Sequence, residues 1–269
     1  MKIKKVTVIV AIYKDIEALG IILDSLYTQT YQEDYEVIVA EDGEDKAVKQ
    51  YIESLKYKNL VHTTQKDKGW QKKKSLNNAL RSSSGDLIIF LDGDCIPYNN
   101  LIENYVKMAE EKTILCGRRV ELGEEFTRKL RSSELTLDTL QKKYLRYYFK
   151  LMRDKTRHYE EGVVLSSFLH QLKYKNKTSH ILGCNFALNK EDIYAINGFN
   201  EDYTTPSVGE DTDIEHRLVL AGCRLKPTRN LTNVIHLYHE SQYTPEEHHQ
   251  SLKVFEKTKE RIVCINGIA

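Results

Sequence analysis

Two carboxylates flanking one glycine end an apolar run in this chain, Gly85-Asp86-Leu87-Ile88-Ile89-Phe90-Leu91-Asp92-Gly93-Asp94. The run reads as a buried strand that delivers Asp92 and Asp94 to its exposed end. Gly93 is expected to permit a tight turn, so that both carboxylates address one point. Such oxygens, joined by diphosphate oxygens and water, suit Mn2+ or Mg2+, hard cations that take oxygen ligands. A cation held there neutralises a leaving diphosphate as a Lewis acid. Asp-x-Asp alone is common and is ordinarily just an acidic turn; its place at the end of a fourth apolar strand gives it weight.

Other groups add chemistry. Glu41-Asp42-Gly43 offers an acceptor for a base N–H or a ribose hydroxyl, as an acidic residue does in dinucleotide-binding folds. Taken alone it is an ordinary turn. Lys66-Asp67-Lys68-Gly69-Trp70-Gln71-Lys72-Lys73-Lys74 is a basic run entering a helix. Lys72 and Lys74 can face a diphosphate there, aided by the helix N-terminal amides, while a solvated helix face accounts for some of the lysines. Gly209-Glu210-Asp211-Thr212-Asp213 opens another helix. Capping and dipole compensation explain one carboxylate; of the rest, one can take the proton of an acceptor hydroxyl. Ile235-His236-Leu237-Tyr238-His239 ends a strand with histidines expected on alternating sides, either of which can add an imidazole nitrogen to a metal shell. Either alone is more often a surface or core histidine.

The elements that must position these groups are legible. Val6–Ala11, Glu36–Ala40, Leu60–His62 and Leu87–Leu91 read as strands, with helical spacing over Ile16–Thr28, Lys46–Lys56 and Gln71–Arg81. Branched apolar strands alternating with helices predict an α/β fold whose parallel sheet is covered on both faces. Ligands bind such sheets beyond the carboxyl ends of the strands, where Tyr13-Lys14-Asp15, Glu41-Asp42-Gly43 and Asp92-Gly93-Asp94 all fall. Residues 124–176 differ: Phe126–Leu130 and Leu135–Met152 read as amphipathic helices, strongly basic toward Lys142–Arg157, and form a helical insertion. From Ile181 the pattern is mixed again, with a strand, Asn197-Gly198-Phe199, a helix near Gly209–Asp211 and a strand at Leu231–Leu237.

Composition sets limits. The 269 residues suffice for one large α/β domain. Lys and Arg (40) balance Asp and Glu (39), which argues against a nucleic-acid binder. Five dispersed cysteines without a Cys-x-x-Cys pair suit reduced thiols in a cytoplasmic protein. The basic start Met1–Lys5 ahead of Val6–Tyr13 is read as a first strand, since the apolar run is short and no cleavage site follows. No stretch approaches the ~20 apolar residues of a membrane span. The expected location is cytoplasmic, or peripheral at the inner face of the membrane. The basic, tyrosine-rich segment 142–175 has two readings: contact with an anionic membrane or an acidic acceptor, and a solvated helix covering the core.

These residues together resemble a known family. The opening Val6–Tyr13, the Glu41-Asp42-Gly43 strand end and Phe90-Leu91-Asp92-Gly93-Asp94 are similar to family 2 glycosyltransferases of the GT-A (nucleotide-diphospho-sugar transferase) fold. Gly183-Cys184-Asn185-Phe186-Ala187-Leu188, Asn197-Gly198-Phe199 and Gly209-Glu210-Asp211 resemble, in this order, the C-terminal region of β-1,4-galactosyltransferases and bacterial chondroitin-type polymerases. The likeness covers nearly the whole chain except roughly 122–178. It implies a mixed, mainly parallel sheet with one continuous domain: a nucleotide-sugar-binding half at 1–120, a helical insertion at 121–180, and an acceptor-binding and catalytic half at 181–269.

The resemblance also implies roles. Ala11, Tyr13, Asp15, Asp42, Lys72, Lys74, Asn77, Asp92 and Gly93 are expected to hold the nucleotide sugar. Asp94, with Asp92 and His236 or His239, is expected to hold Mn2+ or Mg2+. Asp211 falls on the position of the catalytic base, with Glu210 beside it holding the acceptor. The implied reaction moves a sugar from a UDP-sugar to a hydroxyl of a glycan or glycolipid, with inversion, in bacterial surface polysaccharide or glycolipid synthesis. The chain departs from its relatives where Pro206-Ser207-Val208-Gly209 replaces a Gly-Trp-Gly-Gly segment and Thr212 replaces an acid. Two competing readings are a sugar-phosphate nucleotidyltransferase, which needs a glycine-rich loop that Ala11-Ile12-Tyr13-Lys14-Asp15 lacks, and a non-catalytic nucleotide-sugar-binding module.

Overall fold

A computed structural model describes residues 3–206, 211–240 and 244–269. Strands β1 (Val6–Ile12), β2 (Tyr35–Glu41), β3 (Leu60–Thr63) and β4 (Leu87–Asp92) alternate with helices α1 (Ile16–Leu26), α2 (Lys46–Ser54) and α3 (Lys72–Ser82). The strands are apolar on both faces, so only a doubly covered sheet buries them. β1 sits between β2 and β4 in parallel register, Val6 opposite both Tyr35 and Leu87. Aspartates start two of the helices: Asp15 accepts from the Ala18 amide and Asp45 from those of Ala47 and Val48.

After β4 come β5 (Cys95–Pro97), α4 (Leu101–Met108), β6 (Thr113–Cys116) and β7 (Arg118–Glu121). The insertion follows as α5 (Glu124–Arg131), α6 (Leu137–Lys142), α7 (Tyr144–Arg153), a 3-10 turn at Tyr159–Gly162 and α8 (Ser167–Tyr174). The later elements are β8 (Asn185–Asn189), α9 (Lys190–Ala195), α10 (Asp211–Leu220), β9 (Arg224–Pro227), β10 (Asn233–His236) and α11 (Pro245–Thr258).

A 7-stranded sheet runs β3-β2-β1-β4-β8-β6-β9, and a 3-stranded sheet runs β5-β10-β7. β8 is antiparallel to both β4 and β6, which makes the large sheet mixed but mainly parallel. A strand from the second half thus lies between strands of the first, and the two halves share one core. One apolar layer joins α1 and α4 to the sheet through Leu19, Leu23, Val8 and Tyr105; the other joins α3 and α10 through Leu76, Leu80, Phe90 and Leu218. Phe90 stacks on Phe186 at 4.7 Å and meets Phe199 edge-on at 5.3 Å.

The single helix expected over Leu135–Met152 is two. Lys143 breaks it at φ −112 and ψ 23. Gln141 exchanges hydrogen bonds with Asn99 and holds α6, whereas Tyr144 donates to the Tyr159 carbonyl at 2.7 Å and holds α7. Two anchors in different places override a continuous helical pattern. All five cysteines are buried and unbridged. No helix among the described residues is long and apolar enough to cross a membrane.

Candidate active site

The carboxyl ends of β1, β2 and β4 open into a cleft of about 1130 Å³, large enough for a nucleotide sugar with room beside it. Ala11, Tyr13, Asp15, Asp42, Lys72, Asp92, Gly93, Asp94, His236 and His239 all line it. They come from five separate stretches of sequence, and sheet order is what joins them.

The histidines reach this cleft through the small sheet. β10 runs antiparallel to β5 with His236 opposite Cys95, the residue after Asp94, and the Leu237 amide donates to the Asp94 carbonyl at 2.9 Å. His236 Nε2 lies 3.3 Å and His239 Nε2 3.2 Å from the Asp94 carboxylate. The expectation of alternating sides is therefore corrected. β10 ends at His236, so the two-residue alternation does not extend to His239, and both imidazoles turn toward one carboxylate. Burial favours the protonated Asp94 carboxyl, but the two imidazoles outweigh it and hold the group far below the usual carboxylate range. The same contact raises His239 to about 9.

Asp94, Cys95 and His236 form a compact group whose ligand atoms lie within 4.8 Å of one another. Burial, then the neighbouring Cys184 thiol, pushes the Cys95 thiol well up, so it is a poor thiolate ligand. A carboxylate with two imidazoles is the better donor set for a divalent cation. Asp92, expected to share the metal, is placed differently: Lys72 Nζ lies 2.6 Å from its Oδ1.

Gly93 was expected to serve a tight turn. It has no positive φ; what excludes a side chain is contact, since a Cβ there would stand 2.6 Å from the Ala11 carbonyl oxygen and 2.9 Å from Ile12 Cγ2. Asp42 accepts from Gln65 Nε2 and from the Gln71 amide, both at 2.7 Å, which ties the end of β2 to the start of α3. Tyr13 is exposed and donates to Asp67. Asp15 caps α1 and receives both Arg131 Nη atoms, at 3.0 and 2.7 Å, so its carboxylate holds Arg131 at the cleft wall. Burial works against that charge, and Arg131 more than offsets it, leaving Asp15 below its usual range.

Other expected residues lie elsewhere. Lys74 is exposed and does not line the cleft; on a helix begun at Lys72 it points away while Lys72 and Ser75 face in. Between them Lys73 is buried, its Nζ 3.4 Å from the Trp70 ring centroid. Asn77 is fully buried and brackets the Asn197-Gly198-Phe199 loop, donating to the Phe199 carbonyl and to Glu201 and accepting from the Phe199 amide. It is a structural clamp. Asp211 opens α10 and accepts from the Thr212 amide; it is outside the cleft lining, which on that side includes Pro206. Glu210 and the Ser207-Val208-Gly209 stretch lie outside the described residues.

Sequence reasoning missed the opposite wall. Arg119 and Glu121 from β7, paired at 2.9 Å, line the cleft with Arg131, Arg153, Lys155 and Arg157. The Arg119-Val120-Glu121 alternation was the available signal for the first pair. The insertion's cations had no partner in the sequence to show which way they face.

A family model described as glycosyl transferase family 2 matches residues 7–195. The chain belongs to glycosyltransferase family 2. A model described as the N-terminal domain of galactosyltransferase matches residues 164–240, the stretch that carries Asp211 and both histidines. The chain is 25% identical over 232 residues to a chondroitin synthase of Escherichia coli, covering 81% of this chain and 32% of that protein. It spans between 29% and 39% of the length of three curated relatives. Among solved structures it is similar to GalNAc-T7 with UDP, GalNAc and Mn2+ (TM-score 0.63, 14% identity, 96% of this chain and 49% of that one). It is also similar to the mannosyltransferase PcManGT of Pyrobaculum calidifontis with GDP-Man and Mn2+ (TM-score 0.58, 17% identity, 90% and 59%). These likenesses show the GT-A fold.

Proposed function

We propose that this chain is an inverting, metal-dependent transferase that moves a sugar from a UDP-sugar to a hydroxyl of a glycan or glycolipid acceptor. One observation carries the reading: Asp94, His236 and His239 meet at the mouth of β4, in the same cleft as Lys72, Asp92 and Asp42. Carboxylate, imidazole and ammonium groups at the carboxyl ends of parallel strands are the equipment for a nucleoside diphosphate. The UDP and Mn2+ bound by the similar GalNAc-T7 support uridine and manganese for this chain.

Asp42, at the end of β2, keeps acceptor capacity for a base N–H or a ribose hydroxyl. Lys72, already drawn into the cleft by Asp92, meets the diphosphate. Ala11 and Gly93 supply the floor beneath the donor, the missing side chain of Gly93 letting its backbone close against Ala11 and Ile12. Asp94, His236 and His239 would hold a divalent cation, which when bound supplies charge neutralisation for the leaving diphosphate. Asp211 takes the proton of the acceptor hydroxyl. The acceptor oxygen then bonds to the anomeric carbon from the face opposite the phosphate oxygen, the bond between that carbon and the phosphate oxygen breaks, and UDP leaves with its electron pair. A single in-line displacement of this kind inverts the anomeric centre. Asp211 carries this role through the family resemblance and its place at the start of α10, close in sequence to the cleft residue Pro206.

A panel of UDP- and GDP-sugars with Mn2+ tests the proposal, scored by thermal shift and by release of the nucleoside diphosphate. A metal-dependent shift with a subset of UDP-sugars is expected. No shift with any UDP-sugar, or an equal response without metal, would overturn it.

A further inference from the structure

Helix α7 turns three large apolar side chains to solvent at helical spacing: Leu145, Phe149 and Met152, which are 71%, 72% and 45% exposed. Helix α8 does the same with Phe168, Leu169 and Leu172, which are 74%, 49% and 75% exposed. Isolated exposed apolar residues are ordinary, but three large ones on each of two short helices give each helix an exposed apolar face. Each helix already has a separate face that packs on the domain, through Tyr144 and Leu151 in α7 and through His170 and Tyr174 in α8. A surface helix that only covers a core needs one apolar face. These helices have a second.

The two helices share one support. Tyr144 of α7 donates to the Tyr159 carbonyl of the 3-10 turn. Asn230 donates to the Glu160 and Val163 carbonyls and accepts from Tyr174 of α8 at 2.7 Å, which fixes α8 to the same turn. Charge around the patch is mainly positive: the supporting turn carries two acids, Glu160 and Glu161, the second paired with Arg229, against a larger number of cations. Residues 142–157 hold seven Lys or Arg against the single acid Asp154, and that acid is engaged in capping α5 through the Glu125 and Phe126 amides. Residues 164–177 add three lysines and no acid.

We infer that α7 and α8 form a monotopic docking surface for an anionic lipid bilayer. Apolar side chains ringed by Lys and Arg match the interface of such a bilayer, where the apolar groups enter the acyl boundary and the cations meet lipid phosphates. A second copy of this chain is the poorer occupant, because it brings the same positive face. The helices have 10 and 8 residues, which suits lying in the interface and not crossing it. Docking also orients the cleft: α7 ends at Arg153, which lines the cleft wall with Lys155 and Arg157, so this rim is set at headgroup level.

Flotation of the full chain with phosphatidylcholine vesicles, with and without phosphatidylglycerol, tests the inference. The protein is expected to float with anionic vesicles, less so as salt rises, and poorly with phosphatidylcholine alone. The pairs Leu145→Ser/Phe149→Ser and Phe168→Ser/Leu172→Ser, all at exposed positions and checked by thermal melting, should each weaken binding about tenfold or more. Lys143→Glu with Lys150→Glu should abolish the preference for phosphatidylglycerol. Failure to float with anionic vesicles, or flotation unchanged in the apolar variants, would overturn it, as would a dimer by light scattering that these same variants dissolve. Flotation requires neither donor nor turnover, so a failed donor panel leaves this result standing by itself.

Discussion

Arg217→Met would take the guanidinium out of a buried network at the base of α10. The Arg217 and Asp213 side chains are only 1% and 2% exposed, and two guanidinium nitrogens lie 2.8 and 2.7 Å from Asp213 Oδ2. The guanidinium also donates to the Ile196 and Gly198 carbonyls, both at 2.8 Å. Methionine fills much of the volume, so little cavity cost arises. The loss is electrostatic: among the described residues the Asp213 carboxylate keeps only Tyr203 Oη at 3.3 Å, and two buried carbonyls each lose the guanidinium, Ile196 retaining the Cys264 amide at 3.3 Å. Removing one side of a buried pair costs about 3–5 kcal/mol. At about 2–4 °C per kcal/mol for a chain of this size, melting should fall by roughly 10 °C. Urea denaturation followed by circular dichroism at neutral pH measures the loss directly. Asp213→Leu added to Arg217→Met should recover most of it, because an apolar pair of similar volume leaves no buried charge. A loss below about 1 kcal/mol in the single variant, or no recovery in the double, would refute this account.

Asp94→Ala should remove the Mn2+-dependent part of UDP affinity; calorimetric titrations with and without Mn2+ that match the unsubstituted chain would sink the metal-site reading. Asp211→Asn should leave UDP and Mn2+ binding intact and lower turnover by about 10²–10⁴-fold; equal loss of binding and rate would mark Asp211 as structural. Glu36 gives a pH signature. Burial favours its neutral form, but Thr7, Ser84 and Lys5 outweigh that and hold it below its ordinary value near 4.5. Its stabilisation is therefore present above that value and is lost as pH falls through the lower folded one. Glu36→Gln should lower the urea midpoint at neutral pH and match the unsubstituted chain in acid; parallel curves at every pH would contradict this.

Much of the fold was open to reading because its signals are local. Val6–Ile12, Tyr35–Glu41 and Leu87–Asp92 are strands long enough, and apolar enough on both faces, to admit no other element. Their polar ends were visible for the same reason, which is why Asp42, Asp92 and Asp94 fell together in advance. The break at Lys143 was not legible, since only the contacts of Gln141 and Tyr144 with distant residues create it.

Residue type and periodicity alone determined the α/β class, the cleft at the strand ends and the polar clusters at 13–15, 41–43 and 92–94 that border it. Tertiary structure decided which side chains face that cleft. Helix phase sent Lys72 in and Lys74 out, and a long-range clamp took Asn77 into the core. Termination of β10 at His236 let both histidines reach Asp94, and the pairing of β10 with β5 brought them there across the whole length between. The insertion's cations and its exposed apolar face acquired a direction only when α7 packed on the Tyr159–Gly162 turn. The physical reason is common to all of these: propensity and pattern act over a few residues, whereas orientation is set by packing between segments that sequence order does not place side by side.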